Sequence, residues 1–93
     1  MNAERMQRME QRLRAALAPV QLDVVDDSAR HAGHAGARDG RGHFNVRVVS
    51  AAFAGLRPLA RHRAVYAALG AMMETDIHAL GVEALTPEEA GLA

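Results

Sequence analysis

Residues 43–50 have the sequence HFNVRVVS, which predicts the clearest β-strand of the chain. The side chains of Phe44, Val46 and Val48 alternate with more polar ones, so the strand has one apolar face and one polar face. His43 lies on the polar face, where a structural or surface role is expected. The rest of the fold follows from the segments on either side of this strand.

Upstream, the sequence predicts a helix and then another strand. Apolar residues at spacings of 3, 4 and 4 give the helix its buried stripe, namely Met6, Met9, Leu13 and Leu17. Pro19 ends this helix at about Ala18, because proline cannot continue the helical hydrogen-bond pattern. Residues 21–27 then alternate, with Leu22 and Val24 on one face, as is typical of a half-buried strand.

A glycine-rich segment at residues 28–42 joins the two strands. It contains no large apolar residue, and a loop is predicted from its glycines, which are Gly33, Gly36, Gly40 and Gly42. A loop of about 15 residues is long for so small a chain, and such loops are more often functional than short ones. A floppy hairpin connection is the alternative.

Downstream, residues 51–55 predict a short helical turn, and Pro58 begins a second long helix that runs to about Met73. Spacings of 3, 4, 3 and 4 predict the inner face of this helix, which consists of Leu59, His62, Tyr66, Leu69 and Met73. Val65 and Met72 flank this face. His62 is therefore expected to be a hydrogen-bonded core residue.

The C-terminal part predicts a third strand and a short helix. The strand covers residues 77–85, and one of its faces carries His78, Leu80, Val82 and Ala84. Thr86 and Glu89 have the spacing of a capping box, which opens a short helix over residues 86–92.

The predicted order α-β-β-α-β-α fixes the strand directions. A loop between the first two strands favours an antiparallel pair, and a helix between the second and third makes them parallel through a right-handed crossover. The fold class is therefore α+β, with a three-stranded mixed sheet and helices packed on one face. Residues 1–93 are expected to form a single domain.

The composition excludes several classes of function. The sequence contains no cysteine, which excludes disulfides, thiol catalysis and an iron–sulfur cluster held by this chain alone. No nucleophile elbow, phosphate-binding loop or dinucleotide-binding glycine pattern occurs, so the protein is not expected to be an enzyme. No apolar stretch is long enough to span a membrane, and a cytoplasmic protein is expected.

The net charge is zero, but the charges are unevenly distributed. Residues 28–63 contain seven arginines and one acid, whereas residues 74–93 contain five acids and no base. Two arrangements are open at this point. Either the folded domain has a positive face, or the two segments pair with each other.

Histidines are the distinctive feature of the chain. His31 and His34 lie in the glycine-rich loop, and His78 begins the third strand. The predicted topology lets the loop fold over the edge from which the third strand leaves, so a loop histidine and His78 could approach each other and hold a metal. Exposed loop histidines without a ligand are the alternative, and an H-x-x-H pair in a loop is a weak signal.

Several short motifs occur together along the chain. They are His31-Ala-Gly-His34-Ala-Gly, His43-Phe44, Val49-Ser50 with Phe53-Ala-Gly55, Arg61-His62-Arg63 with Val65-Tyr66, and Ile77-His78-Ala79-Leu80. In this order and at this spacing they resemble the BolA family over roughly residues 4–90, in the subgroup that has histidine rather than cysteine in the loop. The resemblance implies a class II KH-like fold.

The resemblance also implies a partnership with cytosolic monothiol glutaredoxins. The two proteins would share a bridging [2Fe–2S] cluster in iron–sulfur trafficking or sensing. The positions that match the family's ligands are His78 and His34, with His31 as the alternative loop ligand. The glutaredoxin cysteine and a glutathione thiol would complete the set, so the isolated chain would bind no cluster and would be a monomer or a weak homodimer. Imidazole ligands titrate near neutral pH, so cluster retention should fall in mild acid.

A second role implied by the resemblance is transcriptional regulation through DNA binding. KH domains hold the nucleic-acid backbone with a GXXG loop, and the corresponding connection here, residues 55–58, has the sequence GLRP and lacks the second glycine. Arg57, Arg61 and Arg63 could contact phosphates. Arg61 and Arg63 avoid the predicted apolar stripe, so both are expected to be exposed. An ordinary solvated face is the alternative.

Overall fold

The computed structural model describes residues 2–28 and 40–92. Its elements in chain order are α1 (Asn2–Leu17), β1 (Gln21–Asp26), β2 (Gly42–Val49), a 3-10 helix (Ala51–Phe53), α2 (Pro58–Leu69), α3 (Met72–Thr75) and β3 (Ile77–Leu85). The predicted α+β class is confirmed. Within the described ranges, no helix combines the length and the apolar content that crossing a membrane requires.

The sheet has three strands in the order β1-β2-β3. β1 pairs with β2 in the antiparallel direction, and β2 pairs with β3 in the parallel direction. Both directions are as the sequence predicts. The alternating strand 43–50 thus lies at the centre of the sheet, where both of its edges are paired.

The core lies between the apolar face of the sheet and the helices. Phe44, Val46 and Val48 of β2 are buried there, as their alternation predicts. The other buried side chains that form this cluster include Met9, Leu13, Leu17, Val24, Phe53, Val65, Leu69, Met72 and Ile77. The opposite face of the sheet carries polar residues, including Asn45 and Arg47, together with the exposed Val25.

The second long helix is shorter than predicted. α2 ends at Leu69, because Gly70 takes a φ of 56° that terminates the helical hydrogen-bond pattern. α3 then follows as a separate short helix. The prediction of one helix running to Met73 is therefore wrong.

The predicted inner face of α2 is confirmed at Leu69 but wrong at Leu59 and Tyr66. Val65 and Leu69 are buried, whereas Leu59 is 62% exposed and Tyr66 is 41% exposed. The helix has apolar residues on more than one of its own sides, so its sequence contains two overlapping apolar stripes. The stripe that packs inward has Ala64 and Ala68 beside Val65 and Leu69, and these small residues also pack against the core.

His62 is not a core residue, contrary to the expectation. It is only partly buried, and its Nδ1 lies 2.9 Å from the carbonyl oxygen of Pro58, one turn earlier in α2. The rotation of the helix that exposes Tyr66 also moves His62 to the border of the core.

The C-terminal capping box is confirmed, but it opens a single turn rather than a helix over residues 86–92. The backbone N–H of Thr86 donates to Glu89 Oε1 at 2.8 Å, and the N–H of Glu89 donates to Thr86 Oγ1 at 3.2 Å. Gly91, at a φ of 77°, ends the turn.

Among the residues that the structure describes, the basic middle and the acidic end of the chain pair with each other at two places. Arg47 Nε lies 3.1 Å from Glu83 Oε1, and Arg61 binds both carboxylate oxygens of Glu89. At these positions the two oppositely charged segments therefore pair with each other and do not leave a positive face. Part of the positive charge that the sequence displays is thereby neutralised.

The Arg61–Glu89 pair should make stability depend on acid pH. Hydrogen bonds from the Arg61 guanidinium, and then from the backbone of Thr86, lower the pKa of Glu89 from 4.5 to about 2. A lowered folded-state pKa contributes stability above the unfolded value, and this contribution is lost as pH falls from 4.5 towards 2. The effect is expected to be small, because the carboxylate is exposed.

Urea unfolding of the wild-type protein and of Glu89→Gln measures this contribution. The difference between the two midpoints should be largest at about pH 6 and should shrink as pH is lowered to about 3. A difference that stays constant over this range would contradict the assigned role of the carboxylate.

Candidate functional site

A β-bulge shapes the beginning of β3. Gly42 pairs with Ile77, but the next residue, His43, pairs with Ala79, so His78 is an extra residue between two paired positions. Such a bulge re-aims the side chain of the extra residue. As a result His78 is exposed and does not share the core-facing side of Leu80. The prediction that these two residues lie on one face is wrong.

The rings of His43 and His78 contact each other across β2 and β3. Their centroids lie 5.0 Å apart, and the ring planes are inclined at 53°. His43 is only 7% exposed, so it is buried beneath the sheet edge, whereas His78 projects to solvent. The structure thus supports a structural role for His43 and leaves His78 accessible to a partner.

Arg41 lies against the exposed His78 ring. Its Nη2 is 3.3 Å from His78 Nδ1, and its Nη1 is 3.4 Å from the carbonyl oxygen of Glu74. A guanidinium can only donate hydrogen bonds. Arg41 is therefore a neighbour of His78 that acts on the imidazole directly.

Both ends of the glycine-rich segment are fixed at this edge of the sheet. The backbone N–H of His43 donates to Ser28 Oγ at 3.0 Å, and the N–H of Gly42 donates to the Asp76 carbonyl oxygen at 2.9 Å. The predicted ligands His31 and His34 lie outside the described residues. The segment that carries them leaves and rejoins the described part of the chain beside His43 and His78.

Asp76 anchors the beginning of β3 to α1. It accepts hydrogen bonds from Thr75 Oγ1 and, at 2.7 Å, from Arg8, and Arg5 Nε lies 3.4 Å away. The hydrogen bond from Thr75 is the main reason that the pKa of Asp76 is lowered; the Arg8 hydrogen bond and charge add to it, and partial burial opposes it. These bonds fix Asp76, which lies two positions before His78 in the sequence.

The metal-binding side chains available at this site limit what it can bind. Within residues 2–28 and 40–92, no group of three or more His, Asp or Glu side chains is arranged to hold a metal ion. The sequence has no thiolate to offer. An exposed imidazole at a sheet edge fits a metal group whose remaining ligands come from elsewhere, and it does not fit an enclosed site made by these residues alone.

The three candidate DNA-binding arginines differ from one another. Arg57, just before α2, is exposed, and Arg63, on the outer face of α2, is exposed as expected. The side chain of Arg61 is only 13% exposed, because it donates to Glu89, to the Ala84 carbonyl at 3.0 Å and to the Leu56 carbonyl at 2.8 Å. The expectation that Arg61 is exposed is wrong.

Sequence reasoning missed two residues that shape the histidine site. Arg41 appears in the sequence as one of several arginines in a basic stretch, and nothing in its spacing distinguishes it. Asp76 looks like the end of a helix, although its place directly before an apolar strand is a signal for a capping or anchoring carboxylate. Both roles depend on contacts between distant parts of the chain.

Comparison with known proteins gives a consistent result. A family model described as BolA-like protein matches residues 13–89. The chloroplastic BOLA1 protein of Arabidopsis thaliana is 43% identical over 88 residues, covering 91% of this chain and 55% of that protein. The DNA-binding transcriptional regulator BolA of Escherichia coli K12 is 45% identical over 83 residues, covering 89% of this chain and 76% of that protein.

A solved structure has the same architecture. The BolA domain of SufE1 from Arabidopsis thaliana superposes with a TM-score of 0.81 at 41% identity, covering 91% of this chain and 94% of that domain. The chain spans about half the length of the Arabidopsis BOLA1 protein and 24% of SufE-like protein 1. The similarity therefore covers only part of each of these two proteins.

Proposed function

This chain belongs to the BolA family, and from that premise we propose that it is an adaptor that binds a monothiol glutaredoxin and shares a bridging [2Fe–2S] cluster with it. The role would lie in iron–sulfur trafficking or sensing. The observation that carries the proposal is the position of His78, whose imidazole is exposed at the sheet edge. Ser28 and Gly42, which lie on either side of the loop histidines in the sequence, are both hydrogen-bonded at this edge.

The ligand set follows from the residues that the chain contains. His78 would supply one nitrogen, and His34, or His31 in its place, would supply the second. Both loop histidines are within a few residues of Ser28, and a chain extends by about 3.3–3.6 Å per residue, so its length permits the approach. Without a cysteine here, the sulfur ligands would come from the glutaredoxin and from glutathione. Mixed nitrogen and sulfur ligation raises the reduction potential of a cluster above that of an all-cysteine site.

Co-expression with a monothiol glutaredoxin tests the proposal. We expect the two proteins to purify together as a coloured heterocomplex that contains iron and sulfide in equal amounts. The chain expressed alone should bind neither. A heterocomplex free of iron, or the lack of any complex, would refute the adaptor role.

A second candidate function is DNA binding. One relative is named a DNA-binding transcriptional regulator, and the exposed Arg57 and Arg63 both lie at α2 with no acidic residue between them in the sequence. Arg61 is not part of this second proposal, since its guanidinium is engaged with Glu89. Both candidate functions are binding functions, and neither requires the chain to catalyse a reaction.

Replacing Arg57 and Arg63 together by glutamine should weaken DNA binding. Each lost phosphate contact lowers the steepness of the salt dependence by about 0.9, so the slope of log K against log salt should fall by about 1.8 in magnitude. Fluorescence anisotropy on a promoter duplex over a series of salt concentrations measures both the affinity and the slope.

The matched control is Arg12→Gln with Arg14→Gln, which removes the same charge from α1. An equal effect of the control would show that only net charge matters. Unchanged binding by the Arg57 and Arg63 variant would eliminate the α2 surface. His78→Ala should leave DNA binding intact, which separates the two functions.

A further inference from the structure

We infer that Arg41 holds the His78 imidazole in a single tautomer and thereby opposes its use as a metal ligand until the guanidinium moves away. The claim that Arg41 fixes the tautomer rests on geometry, because Arg41 Nη2 lies 3.3 Å from His78 Nδ1. The claim that Arg41 opposes ligation rests on the proposed function, in which His78 is a cluster ligand. Arg41 is thus a positioning residue that acts through His78.

The direction of the hydrogen bond fixes the proton on the ring. Every polar hydrogen of a guanidinium is a donor and the group has no acceptor, so His78 Nδ1 must accept with its lone pair. In the neutral imidazole the remaining proton then sits on Nε2. The nitrogen that faces Arg41 is occupied, and the other carries a hydrogen atom.

Ligation requires a lone pair on one of these nitrogens. Binding through Nε2 requires the proton to move to Nδ1, where it would point at the guanidinium and break the hydrogen bond. Binding through Nδ1 displaces Arg41 directly. Either way the Arg41–His78 contact is lost before or as the metal binds, so its free energy is subtracted from that of ligation.

The guanidinium is held in place by its surroundings. Its Nη1 lies 3.4 Å from the Glu74 carbonyl oxygen, and the next residue, Gly42, is fixed by a hydrogen bond to the backbone of Asp76. Arg41 is therefore attached to the beginning of β2 while it contacts the beginning of β3. A partner that draws Arg41 away would prepare His78 for ligation.

The size of the effect follows from the kind of hydrogen bond. Hydrogen bonds that involve a charged group contribute more than neutral ones, and at this exposed site we expect Arg41→Leu to tighten cluster retention about tenfold. Arg41→Lys keeps a cationic donor and should restore most of the wild-type behaviour. Arg14→Leu removes the same charge from α1, where the residue is exposed, and should change nothing.

Two measurements test the inference. The first uses the apo chain at about pH 8.5, where imidazoles are neutral, and determines the His78 tautomer from two-bond proton–nitrogen correlations in a nitrogen-15-labelled sample. We expect hydrogen on Nε2 in the wild-type protein and in Arg41→Lys, and a mixture of tautomers in Arg41→Leu. The second measures loss of visible absorption when the cluster-loaded heterocomplex is diluted.

The outcomes separate this inference from the proposed function. Hydrogen on Nδ1 in the wild-type protein, or an unchanged tautomer in Arg41→Leu, would overturn it. Equal cluster retention by the wild-type protein and Arg41→Leu would also overturn it. If no variant loads a cluster with glutaredoxin, the proposed function fails, and the tautomer measurement alone then decides whether Arg41 holds the ring.

Discussion

Replacing His78 by alanine should abolish the visible absorption of the cluster in the glutaredoxin complex while the chain stays folded. The imidazole is exposed at a bulge and lies outside the apolar core, so its removal leaves no large cavity. The cluster, in contrast, would lose one of its four ligands, and the sequence offers no thiolate to replace it. Iron and sulfide should fall to background in the purified complex.

Two further variants make this prediction sharp. His62→Ala removes a partly buried histidine from α2, away from the bulge, and should leave the spectrum unchanged. His78→Cys places a thiolate at the same position and should retain a cluster with an altered spectrum, because cysteine is an iron–sulfur ligand. A full wild-type spectrum in His78→Ala would remove His78 from the ligand set. Loss in both alanine variants would indicate damage to the fold.

The sheet was predictable because its signals are local. The alternation of Phe44, Val46 and Val48 depends only on which side of one strand is buried, and the right-handed crossover rule leaves few ways to join the strands. Pro19 and Pro58 mark helix boundaries through their own backbone chemistry. These features can be recognised in the sequence without knowing which helix packs against which strand.

The orientation of α2 was not predictable in the same way. Its sequence has apolar residues on more than one side, so periodicity alone does not select between the stripe with Tyr66 and the stripe with Val65. Packing selects the second, since Ala64 and Ala68 let the helix approach the sheet. The same rotation brings Arg61 to Glu89, a contact between residues 28 positions apart that no local pattern contains.

The histidine site was predictable only in part. Similarity to a family pointed to His78, but the bulge that turns its ring towards His43 arises from a register shift between two strands. The contact between Arg41 and His78 likewise joins residues 37 positions apart. The predicted ligands His31 and His34 lie outside the described residues, so their role stays a prediction.

The second large effect is expected from Gly42→Ala, which should lower the free energy of unfolding by about 1–3 kcal/mol. A β-carbon at this position would lie 2.5 Å from Cε2 and 2.7 Å from Cζ of Phe44, whose ring is 2% exposed and cannot move aside. Gly81→Ala is the matched control. Its added methyl group would meet the side-chain amide of Asn45, which is exposed and can rotate away at the expense of its hydrogen bond to Asp27, so a smaller cost is expected.

Urea unfolding of a double-mutant cycle identifies the cause. If the Phe44 ring excludes a side chain at position 42, Gly42→Ala should cost clearly less in a Phe44→Leu background than in the wild-type protein, with a coupling free energy of about 1 kcal/mol or more. Strictly additive costs would mean that the ring is not the obstacle. Because Gly42 pairs with Ile77 directly before the bulge, the strain should also shift the nuclear magnetic resonance signals of His78, which Gly81→Ala should leave in place. Close packing beneath the sheet edge would then be what fixes the position of the exposed imidazole above it.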